Sequence, residues 1–563
     1  MTDTPDITNR QFVAGLLLIL LLAVALRGAF PTADPPWRAP VGITWHDEGP
    51  WVHNARNKVL WGKWSTDRWN PMYLAPVFTG LEYVAFESFG VGQWQARIVS
   101  MAMGTLAILF VALGVGASAS RRAALVAAAL LACDHGWVQW NRVALLETTM
   151  VSFIAVSWGA YALAERHRAW AALAGVAAWL AFFSKASAAF YVVALGLEAA
   201  TTVVLGMRAR DNPDLRNRAG AALWTLAGLA IAAALFLVFF AVPHWSEVRF
   251  YNWQMSVTRK PTYGVGALIS RASWVPAVND FFLRQLPVVC LGLAGALGLA
   301  WRWRAARPAE RLLALSVGLG LLEIIVHDAG NERRLLIFIP TLVALAAPIL
   351  AGDRRLASVD SAGRPRRLAA VMAPCVLYAA YVVCAALARA AFAPHVRATV
   401  WAGSMAAVAL TVGLYAAWPR VAGWLARPRA PLFANGLLLL AICIDLVQYG
   451  QWAAIRTYKN VTASTLVGQW LPPGTLVEGK LANGLALDNR IRPIFVGNGF
   501  GNDEDGLRAD VRYILTYTSP RLGYEGSAIL GVLDAHRGWK VIHEFDVAET
   551  PGGHDRAALI EKP

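Results

Sequence analysis

Charge is what this sequence has little of. Only 15% of its 563 residues are Asp, Glu, Lys or Arg, against 57% hydrophobic, and the mean hydropathy is +0.46. A water-soluble globular chain carries about a quarter charged residues, so the deficit excludes an ordinary soluble fold over most of the length and makes lipid the main solvent. Cysteine is scarce too. The five (Cys133, Cys290, Cys375, Cys384 and Cys443) sit in or beside apolar runs, no CxxC spacing occurs, and the polar C-terminal region has none. That argues against a disulfide framework and against a thiolate zinc site. A GxxxxGK[ST] loop and a convincing dinucleotide loop are also missing, so a nucleotide-driven cytoplasmic reaction has no support. No internal repeat or low-complexity tract stands out.

What charge there is carries one sign in excess, +15 at neutral pH. The basic residues lie in short clusters between apolar runs, such as Arg302, Arg304, Arg307 and Arg311. That distribution orients helices in a bilayer and makes no continuous phosphate-binding stripe, so nucleic acid is not expected as a partner. The 24 tryptophans fit the same picture, because indole rings favour the membrane–water interface. The first apolar run, from Gln11 to Phe30, is preceded by a single basic residue, Arg10, and is followed by many more runs. It therefore reads as an uncleaved first helix and not as a signal peptide.

A helix crosses the hydrocarbon core in about 20 residues. On that criterion roughly thirteen candidate spans begin near Gln11, Trp94, Arg122, Leu145, Ala169, Ser187, Ala219, Gln285, Leu312, Leu335, Leu368, Thr399 and Pro431. With the N-terminus in the cytoplasm, the Lys and Arg of the short loops collect on the inner side, and an odd number of spans leaves the C-terminal region outside. The expected architecture is a polytopic α-helical membrane domain over residues 1–450, with long outer loops at 31–93 and 243–284. A soluble extracytoplasmic α/β domain follows over 451–563, where strand-like runs (Arg512–Tyr517, Lys540–Phe545, Ala557–Ile560) alternate with turn residues. The first outer loop contains Pro50–Gly62 and Pro71–Phe89, which suit helices lying along the membrane surface. The second carries His244, Trp245, Tyr251, Trp253 and Tyr263 among basic residues. Such an aromatic, basic, wetted surface suits a sugar and a lipid phosphate. An Asn460-Val461-Thr462 triplet also falls outside the membrane, a pattern common by chance.

Four polar features fall at the outer boundary. The strongest is Trp45-His46-Asp47-Glu48-Gly49-Pro50-Trp51-Val52-His53. Activating a hydroxyl acceptor needs a base within hydrogen-bond reach, and a carboxylate is suitable; equally, Asp47 or Glu48 can simply cap a helix beginning near Pro50. His46, Asp47, Glu48 and His53 are also metal-ligand types, although neighbouring residues on a helix cannot all face one ion. Next come Arg142 and Glu147 after the third span, readable as a functional pair or as an interfacial salt bridge. Lys185 follows, able to hold a phosphate as a point charge or to snorkel to the headgroups. Last is His327-Asp328-Ala329-Gly330-Asn331-Glu332-Arg333-Arg334, where two arginines run against the charge bias and point to an anionic partner. Cations for a phosphate leaving group and an acidic loop at one depth would supply both halves of a group transfer.

At these residues the chain resembles the GT-C glycosyltransferases, specifically the protein O-mannosyltransferase and lipid A aminoarabinose transferase group. His46-Asp47-Glu48 is similar to the acidic motif of their first outer loop. Arg142 to Glu147 resembles their Arg-x-x-Leu-Leu-acid element after helix three, Gly175 to Lys185 their later Ser-Lys boundary, and Asn331 to Pro340 their basic outer loop. A soluble C-terminal domain is a feature of several bacterial members. The resemblance implies an inverting transfer from a polyprenyl-phosphate sugar to a protein, lipid or glycan acceptor on the outer face of the plasma (inner) membrane. Asp47 would be the base with Glu48 in support, and Glu147 a second acidic site residue. Arg142, Lys185, Arg333 and Arg334 would contact the carrier phosphate, with His46 and His53 nearby. A divalent metal is used by some relatives and not by others. The sequence departs from the group at Leu335, where a tyrosine is common, and at Arg68-Trp69-Asn70-Pro71, where the aminoarabinose enzymes have a Lys-Pro pair. The competing readings are a transporter or flippase of lipid-linked glycans, an O-antigen-type polymerase or ligase, and a structural membrane protein. Transporters tend to show repeats and broken helices in both halves.

Overall fold

The computed structural model describes residues 7–36, 44–208, 211–254, 286–327, 332–352, 430–496, 505–506, 508–518, 526–548 and 555–563, with a few isolated positions between 405 and 413. The spans expected near Leu368 and Thr399 lie outside the described residues, as does most of the second loop expected on the outer side.

The chain enters through α1 (Asn9–Gly28), started by a capping box in which Thr8 and Gln11 satisfy each other's backbone donors. Only a narrow stripe of α1 is buried, Leu16, Ala23 and Arg27, and the rest of its circumference faces outward, with Leu18 68% and Leu21 65% exposed. In a chain this apolar, an outward leucine face is a lipid face. Two helices of the first long loop follow, α2 (Thr44–Trp61) and α3 (Pro76–Phe89), joined across a 3-10 turn at Pro71–Tyr73. Pro50 lies inside α2 and not at its start, so Asp47 and Glu48 belong to the helix itself.

The membrane bundle then runs through α4 (Gln93–Ser118), α5 (Arg121–Cys133), α6 (His135–Trp140), α7 (Leu146–Leu163), α8 (Arg168–Ser184), α9 (Ala189–Arg208), α10 (Pro213–Phe236), α11 (Trp245–Trp253), α12 (Leu286–Trp301), α13 (Pro308–His327), α14 (Phe338–Leu350) and α15 (Ala430–Ile455). Among the described residues, six helical stretches are long and apolar enough to cross a membrane. The span expected from Arg122 is two pieces. Asp134 ends α5 and caps α6, its Oδ1 accepting from Trp137 N at 2.6 Å, because a short acidic side chain competes with the helix for backbone donors. The core is rich in alanine and glycine, which lets helices approach closely. Where α8 crosses α10, a Cβ on Gly175 would lie 2.2 Å from the Thr225 carbonyl oxygen, and one on Gly228 would lie 2.3 Å from that of Ala172.

After α15, α16 (Lys459–Trp470) leads into a five-stranded sheet: β1 (Leu476–Glu478), β2 (Arg492–Ile494), β3 (Tyr513–Tyr517), β4 (Lys540–Val547) and β5 (Asp555–Glu561), in spatial order β2-β1-β3-β5-β4. β1 is parallel to β2 and β3, and β5 is antiparallel to β3 and β4. Val477, Leu515, Tyr517 and Leu559 pack on one side with residues of α16 and of α17 (Lys480–Gly484); Ile514 and Ile560 pack with α18 (Gly526–Ala535). The three strand runs read from the sequence coincide with β3, β4 and β5. Asn460 of the triplet is 3% exposed, and its side-chain amide is bonded to both backbone groups of Ala548, so it serves the fold.

The α8–α10 crossing gives a direct test. Replacing Gly228 with Leu should cost about 3 kcal/mol or more, since backbone cannot yield as a side-chain tip can. The loss should appear as a lower melting temperature of the detergent-purified chain.

Candidate active site

Adjacent residues on a helix point about 100° apart, and the first turns of α2 use this to separate two carboxylates. Asp47 is turned toward the 3-10 segment Glu332–Ile337 that enters α14, and its Oδ2 accepts from Arg333 Nη1 at 2.5 Å. Glu48 is turned into the bundle. There it binds Arg97 of α4 through both oxygens, each at 2.8 Å, and accepts from the Ala144 backbone N–H at 2.9 Å. Both members of the Glu48–Arg97 pair are 1% exposed, whereas Arg333 and Asp47 are 20% and 15% exposed. Glu48, expected in support of Asp47 at one site, is therefore placed in a buried ion pair that ties α2 to α4.

Arg333 also reaches Glu147, Nε to Oε1 at 3.1 Å, and Lys185 Nζ meets the same oxygen at 2.6 Å. The local chain explains these placements. Glu147 is in the first turn of α7, where the helix dipole favours an anion, and Lys185 follows the last residue of α8, where it favours a cation. Burial pulls the Lys185 ammonium down to about 8; Glu147 holds it up, while Arg334 and Arg333 press it further down. Four residues from well-separated segments (Asp47, Glu147, Lys185 and Arg333) thus form one linked cluster, with Arg334 close enough to act on Lys185.

Other expected site residues lie elsewhere. Arg142 does not pair with Glu147. Its guanidinium donates to the carbonyls of Leu26, Arg27, Ala29 and Phe30 and lies over the Trp452 ring at 4.4 Å. Those carbonyls are at the C-terminal end of α1, where a helix leaves acceptors without partners, so Arg142 finishes that helix. His53 is fully buried, 3.0 Å from each of Asp67 Oδ1, Asn57 Nδ2 and Asn483 Nδ2. His46 is in the first turn of α2, and its side chain lies outside the described residues, as do Asp328 to Asn331.

The sequence reading missed Arg97, whose signal was an arginine inside an apolar span, and Glu82 on α3. Glu82 is fully buried, and neither carboxylate oxygen has a hydrogen bond; burial first, then the nearby Glu48 charge, push its carboxyl well above the usual range. Metal fit can be judged from the donor set. Among the described residues, no three His, Cys, Asp or Glu side chains come together as ligands, and a guanidinium, not a gap, joins Asp47 to Glu147. The arrangement of the described residues does not fit a divalent ion.

A family model described as dolichyl-phosphate-mannose-protein mannosyltransferase matches residues 75–245. Over nearly the whole chain the fold is similar to a crystal structure of ArnT from Cupriavidus metallidurans bound to undecaprenyl phosphate. The identity is 19% and the TM-score 0.52, with 98% of this chain and 97% of that one covered. The apo structure of the same enzyme gives 17% identity and a TM-score of 0.51, with 98% and 96% covered. An archaeal oligosaccharyltransferase from Archaeoglobus fulgidus, in complex with an inhibitory peptide and a dolichol-phosphate, overlaps at 13% identity and TM-score 0.47, covering 90% and 69%. No curated protein matches the sequence. The fold is therefore similar to that of ArnT over nearly its whole length, a mostly helical chain with several stretches apolar enough to cross a membrane and a small sheet domain at its C-terminal end.

The neighbouring carboxylates should separate cleanly under mutation. Glu48→Gln breaks a buried pair and should cost about 3–5 kcal/mol, read as a lower melting temperature. Asp47→Asn removes a part-exposed contact and should cost about 1 kcal/mol or less.

Proposed function

We propose that this protein moves a sugar from a polyprenyl-phosphate carrier to an acceptor hydroxyl on the outer face of the plasma membrane, with the N-terminus in the cytoplasm and the sheet domain outside. The observation that carries the proposal is the meeting of Asp47, Glu147, Lys185 and Arg333 at one point. Lys185, Arg333 and Arg334 supply the cations that a phosphate leaving group requires, and Asp47 supplies a part-exposed carboxylate for the acceptor proton. Glu147 holds Lys185 and Arg333 in register.

In the reaction, the acceptor oxygen attacks the anomeric carbon as its proton passes to Asp47. The bond from that carbon to the phosphate oxygen breaks, and the electron pair leaves with the polyprenyl phosphate. Attack from the face opposite the phosphate inverts the anomeric centre. Arg333 links the two halves. A carboxylate paired with a guanidinium is a weak base, so a donor phosphate that draws Arg333 away from Asp47 raises the basicity of Asp47 when a substrate is present. The fold match to an enzyme solved with undecaprenyl phosphate, and the mannosyltransferase model over residues 75–245, support a lipid-phosphate donor.

The test is an assay of the purified chain in nanodiscs with a panel of polyprenyl-phosphate sugars and with protein, lipid and glycan acceptors, reading products by mass. Transfer of a sugar is expected, and Asp47→Asn should lower turnover by about 10²–10⁴-fold while donor binding persists. Failure of every donor would sink the proposal, as would full turnover in Asp47→Asn. The pH dependence has a definite sign. Lys185 is charged below about 8 and neutral above it, so donor KM should rise as pH increases through about 8. Lys185→Arg, whose guanidinium stays charged, should flatten that rise.

A further inference from the structure

The sheet domain is bolted to α2, the helix that carries Asp47. Arg56 of α2 is 1% exposed, and among the described residues no carboxylate is hydrogen-bonded to it. Its guanidinium donates instead to three backbone carbonyls of the sheet domain, those of Ala486 at 3.1 Å, Asn489 at 3.2 Å and Ile491 at 2.9 Å. One turn earlier, His53 meets Asn483. One further turn back, Gly49 lies flush against the same residue, where a Cβ would sit 1.7 Å from the Asn483 carbonyl oxygen. Around this face the first long loop is pinned again. Asp67 Oδ2 accepts from Phe495 N at 3.2 Å, Asp505 Oδ2 accepts from Arg68 N at 2.9 Å, and Trp69 stacks on Phe495 at 4.9 Å. At the start of α4, Asp488 accepts from Gln93 N at 3.1 Å.

Helical geometry turns these contacts into a constraint on the site. Gly49, His53 and Arg56 are spaced by four and three residues and share one face of α2. Glu48, Val52 and Ala55 repeat that spacing one residue earlier and face the membrane bundle, Glu48 on Arg97 and the other two in the apolar cluster with Phe78, Ala96 and Met103. Asp47 occupies a third direction. α2 is thus a wedge between the bundle and the sheet domain, and its rotation is fixed from both sides. A carboxylate tip lies roughly 6 Å from a helix axis, so a 10° turn moves it by about 1 Å. Displacement on that scale can cost on the order of 100-fold in rate.

We infer that the sheet domain is a positioning element of the transfer site, with Arg56 the positioning residue that holds α2 so that Asp47 meets Arg333. This rests on the reading of Asp47 as the base. It makes residues 459–563 part of the machinery and not an appended module for recruiting acceptors.

The experiment uses the full-length chain in nanodiscs, with Arg56→Gln, Arg56→Lys and the milder Asn483→Ala, which removes only the His53 contact from that side. Turnover, donor KM and backbone hydrogen exchange are measured on each. Arg56→Gln should lower kcat by about ten- to a hundredfold with donor KM within about threefold. Exchange should speed up over residues 44–61 and remain unchanged over 146–163. Arg56→Lys should recover part of kcat, because an ammonium reaches fewer of the carbonyls. If Arg56→Gln is not recovered folded, Asn483→Ala carries the same measurements, with a smaller expected drop. Wild-type kcat in a folded variant would overturn the inference, and so would a loss that comes with equal deprotection of α7, which marks general destabilisation. A wild-type chain that transfers no sugar, while Arg56→Gln still deprotects α2, would instead sink the transferase reading and leave the mechanical coupling standing.

Discussion

Among the described residues five arginines, Arg27, Arg56, Arg97, Arg142 and Arg311, are 4% exposed or less, and a guanidinium withdrawn from water is costly unless most of its donors are met. Two are met by carboxylates, Arg97 by Glu48 and Arg311 by Glu198. The other three rely largely on backbone carbonyls. Arg27 takes those of Ala23, Leu131 and Ala132 together with the Asn141 side chain, and Arg142 takes the end of α1. Arg56 takes the loop of the sheet domain. Because these carbonyls belong to helix ends and loops, each arginine locks a connection that apolar packing alone would leave loose. The joints between the helices and the sheet domain depend on this use of buried charge.

The same constraint separates scaffold from site. Where a cation is wholly buried, most of its donors are taken by the protein and it is closed to a ligand from solvent. Lys185 and Arg333 are each one-fifth exposed, and both share Glu147. A cluster that is strongly charged, incompletely buried and built from four distant segments is costly to fold, which is the pattern the proposed binding role calls for. Glu48 and Asp47, adjacent in sequence, stand on opposite sides of this division.

Much of this was legible before any coordinates. The apolar runs, the boundary positions of Glu147, Lys185 and Arg333, and the longer strands are local patterns, and local patterns survive folding. Three kinds of feature were not legible. The choice between Asp47 and Glu48 depends on the rotation of α2, which is set by Arg97 and by the sheet domain some 430 residues away. The role of Arg142 depends on carbonyls, which every residue has and no sequence distinguishes. β1 and β2 are three residues each, too short for an alternating pattern to register. The break at Asp134 was visible in principle, since a short acidic side chain inside an alanine-rich run is a stop signal, but length alone favoured one continuous span.

The helix ends at the site add a further step. Glu147 at the start of α7 and Lys185 at the end of α8 each carry the charge their helix dipole favours. Arg333 does not. It lies in the 3-10 turn just ahead of α14, where the partial charge of the helix is positive and a cation is disfavoured. Two carboxylates, Asp47 and Glu147, offset that cost in the resting chain, and Arg334 beside Lys185 adds to the positive potential. A helix entrance with a guanidinium held there by borrowed anions is a place where another anion is stabilised as it arrives. A phosphate there would take over one of those carboxylates' roles, and Asp47 is the more exposed of the two. On the proposed reading, the electrostatics tie the arrival of the donor to the activation of Asp47.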